Sequence, residues 1–189
     1  MLHPMGVIHG RFQVLHLDHM RYLKAGKARC REMVIGITNP DPTMTRKDPS
    51  DPHRSDPLAN PLTYFERAWL VRQALIADGV PLSSFSIVPF PINLPELIPN
   101  YVPMDAVFYL TIYDSWGRRK LQLLNSMGLR TEVLWDRPAH QKGISGREVR
   151  NRMLRDEPWE HLVPESTIVW LKAWKVPQRL KRLAGFGGS

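Results

Sequence analysis

The chain has a single cysteine, Cys30, among its 189 residues, so it forms no internal disulfide and no multi-cysteine metal site. Cys30 itself reads as a small buried apolar residue. No run approaches the roughly 18 apolar residues that a membrane-crossing helix needs. The N-terminus also lacks the basic, apolar, small-residue order of a signal peptide. The expectation is a cytoplasmic protein without membrane contact. Internal repeats and low-complexity tracts are absent too. What is present suffices for one core: 43% hydrophobic residues and six tryptophans, against 23% charged residues, exclude a disordered chain. One domain over residues 1–189 is expected.

Two things are in excess, positive charge and proline. The formal net charge is +8, and it sits near the ends: residues 11–31 carry a net +5, residues 137–189 a net +6, and residues 32–136 a net −3. That distribution suits an anionic partner gripped between two chain segments, whereas a basic tail alone would mark a loose electrostatic anchor. Of 17 prolines, six fall in 40–61 and six in 81–103. Both clusters are expected to be loops, because proline interrupts helix and central-strand hydrogen bonding. Residues 38–61 then form a long proline-rich insertion, and long loops in compact domains are often lids or binding loops.

Elsewhere short apolar runs alternate with amphipathic ones. Strands are expected over 5–9, 32–37, 85–88, 105–112 and 130–135. Helices are expected over 17–30, with Met20, Leu23 and Ala28 inward, and over 63–77, with Phe65, Trp69, Leu70, Ala74 and Leu75 near helical spacing. Further helices follow at about 116–127 and 146–155, and a closing helix spans 165–182. This alternation implies an α/β fold, a parallel sheet covered on both faces, with ligands beyond the carboxyl ends of the strands.

The first strand runs into Gly10-Arg11-Phe12-Gln13-Val14-Leu15-His16-Leu17-Asp18-His19. Gly10 permits a tight turn or close approach of a ligand to the backbone. His16 and His19, three apart at a helix start, share a face near unpaired amide N–H groups. Together with Arg11 they make a polyphosphate site. Taken singly, each histidine reads as readily as a helix-start or surface residue; the ten-residue run is far more specific. Two further pairs, Thr63 with Glu66 and Ser145 with Glu148, have capping-box spacing. Capping explains those helix starts but not the gathering of Arg147, Arg150 and Arg152.

These segments resemble the Gly-Arg-Phe-Gln and His-x-Gly-His signature of the nucleotidyltransferase superfamily, and most closely the archaeal-type nicotinamide mononucleotide (NMN) adenylyltransferases. Asn60-Pro61-Leu62-Thr63 with Glu66-Arg67, Ser84 to Pro91, Gly143 to Leu154 and Trp159 to Trp170 look like later family segments in the family's order, so the resemblance covers about residues 5–174. It implies a Rossmann-like sheet, a nucleoside triphosphate and a small phosphorylated acceptor as substrates, release of pyrophosphate, and Mg2+ bridging phosphates without protein metal ligands. By the same resemblance His16, His19, Arg11, Arg150 and Ser145 hold the triphosphate for catalysis. Gly10, Phe12, Gln13, Lys142, Ile144, Gly146 and Arg147 would bind the nucleotide beside them. An arginine-rich helix start suits the phosphates that leave as pyrophosphate.

The sequence departs from the family at Asp18, where glycine is usual, and in Ile92 to Pro103, which lacks the tryptophan that stacks on nicotinamide. Candidate acceptor residues are Tyr101, Tyr113 and Asp114, with Arg46 and Arg54 from the insertion. Arg118-Arg119-Lys120 reads either as a solvated helix face or as a dock for a small phosphate or phosphonate. Gly143-Ile144-Ser145 is like the Gly-Ile-Ser core of cytidylyltransferases in the same superfamily, which keeps CTP beside ATP as the donor. Three readings stand: an NMN adenylyltransferase; a cytidylyltransferase acting on a small phosphate or phosphonate; and a non-catalytic nucleotide- or RNA-binding module using Lys172, Lys175, Arg179, Lys181 and Arg182. Both phosphate segments argue against the last, and nucleic acid is not the expected partner. A homo-oligomer stays open. On the enzymatic readings, removing His19 should lower turnover by on the order of 10²-fold while barely touching stability.

Overall fold

The computed structural model describes residues 1–42 and 56–185. Arg46, Lys47, His53 and Arg54 lie outside the described residues, as does most of the insertion. Five strands, β1 (His3–Gly10), β2 (Cys30–Thr38), β3 (Phe85–Phe90), β4 (Val107–Ile112) and β5 (Arg130–Asp136), form one sheet in the order β3-β2-β1-β4-β5. All four pairings are parallel, with Ile8 opposite Ile35 on one side and Tyr109 on the other. β1 is central, which is why Gly6-Val-Ile is apolar on both faces and buried at Val7 and Ile8. The chain steps outward from β1 to β3, then returns to the other side of β1 for β4. The carboxyl ends of β1 and β4 therefore flank the crevice where such sheets bind ligands.

Among the described residues six α-helices cover the sheet: α1 (Leu17–Lys27), α2 (Tyr64–Ala77), α3 (Ser115–Ser126), α4 (Gly146–Leu154), α5 (Glu165–Ala173) and α6 (Val176–Leu183). Strand alternation divides the apolar residues into two cores. Ile8, Ile35 and Tyr109 pack with Leu23, Leu70, Val149, Leu171 and Leu180 from α1, α2, α4, α5 and α6. Val7, Val34 and Phe108 pack on the other face with Ile98 and with Leu124 of α3. No helix among the described residues is long and apolar enough to cross a membrane.

Several sequence expectations are corrected. α1 stops at Lys27, so Ala28 is an exposed C-cap, and Tyr22 and Gly26 face inward in its place. A Cβ on Gly26 would come within 2.9 Å of the Ile8 side chain, so the helix packs against β1 there only because that position lacks one. Phe65 of α2 is 66% exposed and stacks on Trp69 at 6.0 Å, so it is not a core residue. The second proline cluster is not all loop. Pro89 lies inside β3, an edge strand that tolerates the lost donor, and residues Pro95–Asn100 form a 3-10 turn. The closing helix is two helices, because Lys175 turns left-handed (φ 53°) between α5 and α6.

Candidate active site

The turn between β1 and α1 is built around its own side chains. Phe12 is fully buried, adopts a left-handed backbone (φ 52°), and fills the space over Gly10, where a Cβ would lie 2.8 Å from its ring. The same ring meets His19 edge-on at 5.0 Å. Phe12 is thus a floor for the turn. Gln13 is likewise committed: its amide donates to the Leu62 carbonyl (2.8 Å) and its Oε1 accepts the Leu62 N–H (2.9 Å). The side chains called nucleotide-binding at these two positions hold the turn in place, and Gln13 ties it to the segment entering α2.

His16 and His19 form a reciprocal cap at the start of α1. His16 Nδ1 accepts the His19 backbone N–H (3.3 Å), and His19 Nδ1 accepts the His16 N–H (3.4 Å), with the rings stacked 3.6 Å apart. An Nδ1 that accepts carries no proton, so in the neutral rings the proton sits on Nε2. Both rings are held neutral. Burial, then the charges of Lys142 and Arg150, lowers His16 to about 3. Burial, His16, Lys142 and Arg11 push His19 well below the ordinary range. Each ring therefore offers one Nε2–H donor to a phosphate oxygen near neutral pH.

α4 docks its first turn directly on this structure. Ser145 is its N-cap, its Oγ accepting the Glu148 N–H at 3.1 Å. The reciprocal half of the expected capping box is replaced by a pairing of the Glu148 carboxylate with Arg152 (3.5 Å), which also donates to the Pro158 carbonyl. Arg150, buried to 7% exposure, hydrogen-bonds the Gln13 carbonyl through Nη1. Gly146 is a position where the absence of a side chain is required, since a Cβ would sit 2.5 Å from that carbonyl. Gly143 is similarly pressed against the Asp18 carboxylate, whose other oxygen pairs with Arg21 at 2.9 Å. Asp18 is thus directed to Arg21 and the Gly143 backbone.

Around the junction positive charge predominates. Burial and the neighbouring Arg11 and Arg147 lower Arg150 to about 10, with Asp56 opposing them. Lys142 lies 4.0 Å from Asp114, the N-cap of α3, and 5.8 Å over the ring of Tyr113. Tyr113 is fixed by the Trp135 indole N–H at 2.6 Å. Crowded cations facing two Nε2–H donors favour a polyphosphate. Of the sequence-derived set, His16, His19, Arg11, Arg150, Ser145, Lys142, Gly146 and Arg147 meet at this junction, with Ile144 between them in the chain. Tyr113 and Asp114 reach its edge through Lys142. Tyr101 instead packs against the Val7, Phe90 and Phe108 core.

One organising residue carries a signal easy to pass over. Arg67 is 2% exposed and donates to four carbonyls, those of Thr38 (2.6 Å), Asn39 (2.7 Å), Arg11 (3.1 Å) and Thr63 (3.2 Å). It thereby joins the ends of β1 and β2 to the start of α2. Its trace in the sequence was its place in the family-like segment that ends in Glu66-Arg67, which carried no sign of its four carbonyl partners.

Comparison with known proteins gives the family. The family model described as cytidylyltransferase-like matches residues 7–152. Phosphonoformate cytidylyltransferase of Streptomyces viridochromogenes is 47% identical over 176 residues, covering 93% of this chain and 95% of that protein. Nicotinamide-nucleotide adenylyltransferase of Thermococcus sibiricus is 30% identical over 181 residues, covering 95% and 89%. The fold is that of a bifunctional NMN adenylyltransferase/ADP ribose pyrophosphatase from Francisella tularensis, at a TM-score of 0.65 and 12% identity over 97% of this chain and 53% of that one. The chain belongs to the cytidylyltransferase-like family and is a nucleotidyltransferase.

Proposed function

We propose that this protein transfers a cytidylyl group from CTP to a small phosphonate acceptor bearing a carboxylate, phosphonoformate foremost, and releases pyrophosphate. The relatives favour this second reading of the sequence over NMN adenylyltransferase: identity is 47% to a phosphonoformate cytidylyltransferase and 30% to an NMN adenylyltransferase, each over nearly the whole chain. The loop after β3 supports it. Its Ile92, Ile98 and Val102 are buried, and Tyr101 is drawn into the same core, which leaves this loop without an aromatic wall for a nicotinamide ring.

The junction of His16, His19, Arg11 and Arg150 carries the reaction class. An acceptor phosphonate oxygen is already anionic at neutral pH and attacks the α-phosphorus without a base. The bond from the α-phosphorus to the bridging oxygen breaks, and pyrophosphate leaves with the bond's electrons. The protein's work is positioning and neutralising charge, with Nε2–H donors and arginines on the phosphate oxygens and the α4 N-terminus facing the leaving group. Among the described residues no group of three or more His, Cys, Asp and Glu is placed to hold a metal ion. On this reading magnesium enters on the triphosphate as part of the substrate, and the cytoplasm supplies both. A pyrophosphate-release assay of CTP and ATP against phosphonoformate and NMN tests the reading. CTP with phosphonoformate should give the highest kcat/KM; faster turnover of ATP with NMN would overturn it.

A further inference from the structure

His9 is a buried ionisable side chain that the reaction above leaves unused. It is 3% exposed, and neither ring nitrogen has a hydrogen-bond partner. An unsatisfied buried polar group of this kind is costly to keep, and a ligand that completes it gives a fold reason to do so. Its position indicates which ligand. His9 is the penultimate residue of β1, beside the crevice between β1 and β4. Its side chain points to the opposite face from Gly10, so it lies across the sheet from the Phe12 floor of the phosphate turn. The ring is stacked on Phe90 at 4.7 Å, and Phe90 reaches it by lying across Gly36 of β2, where a Cβ would be 2.7 Å from the Phe90 side chain. The charge that acts on the ring is Lys120 of α3. Burial and that lysine keep the imidazole neutral, hence one donor and one acceptor.

We propose that His9 is a specificity-determining residue of the acceptor site, donating its imidazole N–H to the carboxylate of a small carboxylated phosphonate. The inference rests on the proposed cytidylyltransferase reaction and deepens it: the Arg11 and His16 side of β1 reads the triphosphate, and the His9 side reads the acceptor's second anionic head.

The test compares phosphonoformate with methylphosphonate, which replaces the carboxylate by a methyl group, at saturating CTP. The wild type should prefer phosphonoformate by on the order of 10²-fold in kcat/KM. His9→Val should erase that preference through KM for phosphonoformate, leaving KM for CTP and turnover of methylphosphonate unchanged. His9→Gln, which restores a donor, should recover part of it. The thermal midpoint of His9→Val should equal or exceed that of the wild type, since an orphaned polar group is removed. A preference unchanged in His9→Val would overturn the inference and point to an ordered water on His9. Equal losses for both acceptors, with a lowered midpoint, would also overturn it in favour of a packing role. Absence of CTP-dependent turnover in the wild type would instead sink the proposed reaction, and this inference with it.

Discussion

His16 and His9 show how a single side chain can tie stability to pH. Both are buried and neutral when folded, His16 with a pKa of about 3 and His9 well below the ordinary 6.5. In the unfolded chain both return to about 6.5, so below that pH the unfolded state binds more protons than the folded one. Stability is then complete above the unfolded value and is lost as pH falls toward the folded one. Each histidine adds about 1.4 kcal/mol per pH unit to the slope inside that window. Thermal unfolding of the ligand-free protein should show Tm nearly flat above about pH 7 and falling steadily from about pH 6 to pH 4. A Tm indifferent to acid over that range would show the histidines to be charged in the fold. Saturating triphosphate should shift the decline to lower pH, because bound phosphate favours a protonated ring.

At the scale of elements, the start of α1 puts the helix cap and the proposed phosphate donors on the same two side chains. The sequence expectation that His19 acts on turnover alone does not survive the reciprocal cap it forms with His16. His19→Ala should lower turnover by on the order of 10²-fold and also cost about 1 kcal/mol of stability, the usual worth of a cap. His16→Asn separates the two roles, since asparagine caps well but has no Nε2–H to offer. It should lose turnover to a similar extent with Tm near wild type; retained turnover in His16→Asn would remove the histidine donor from the mechanism. The strands and their order of use were legible because each is a short apolar run bounded by turn residues. The starts of α1 and α4, where the proposed phosphate segments lie, were legible because residue type and spacing are tightly constrained there. Contacts set by packing across the fold were not. The Gln13 pairing with Leu62 spans 49 residues, and the four carbonyls of Arg67 come from three separate segments, at Arg11, Thr38-Asn39 and Thr63. Pro89 looked like a loop residue because its tolerance depends on β3 being an edge, a property of sheet order alone.

For the whole molecule, the net charge of +8 divides into two populations. Arg11, Lys142, Arg147 and Arg150 face one another at the junction, while much of the basic surplus at the C-terminal end is consumed internally. Lys172 pairs with Glu160 (2.9 Å), Lys181 with Asp156 (2.6 Å), and Arg179 with Glu66 (2.7 Å). Three of the five cations offered as an RNA surface are thus holding the closing helices onto the domain. The Arg179 pair is the strongest of them. Its guanidinium bridges both Glu66 oxygens and the Pro61 carbonyl, and burial of Glu66 is outweighed by the bonds from Arg179 and Thr63, which leave the carboxyl below its ordinary pKa. Arg179→Ala would strand a carboxylate that is 11% exposed, at a cost of about 2 kcal/mol once partial solvent access is allowed for. For a chain of this size that is a fall in Tm of about 4–8 °C. Below the transition, KM for CTP should stay within about twofold of wild type, because the lost interaction fastens α6 to the start of α2 and touches no phosphate. A tenfold rise in KM with an unchanged Tm would instead make the last helix part of the nucleotide surface, and the charge at the C-terminal end would have to be reassigned to binding.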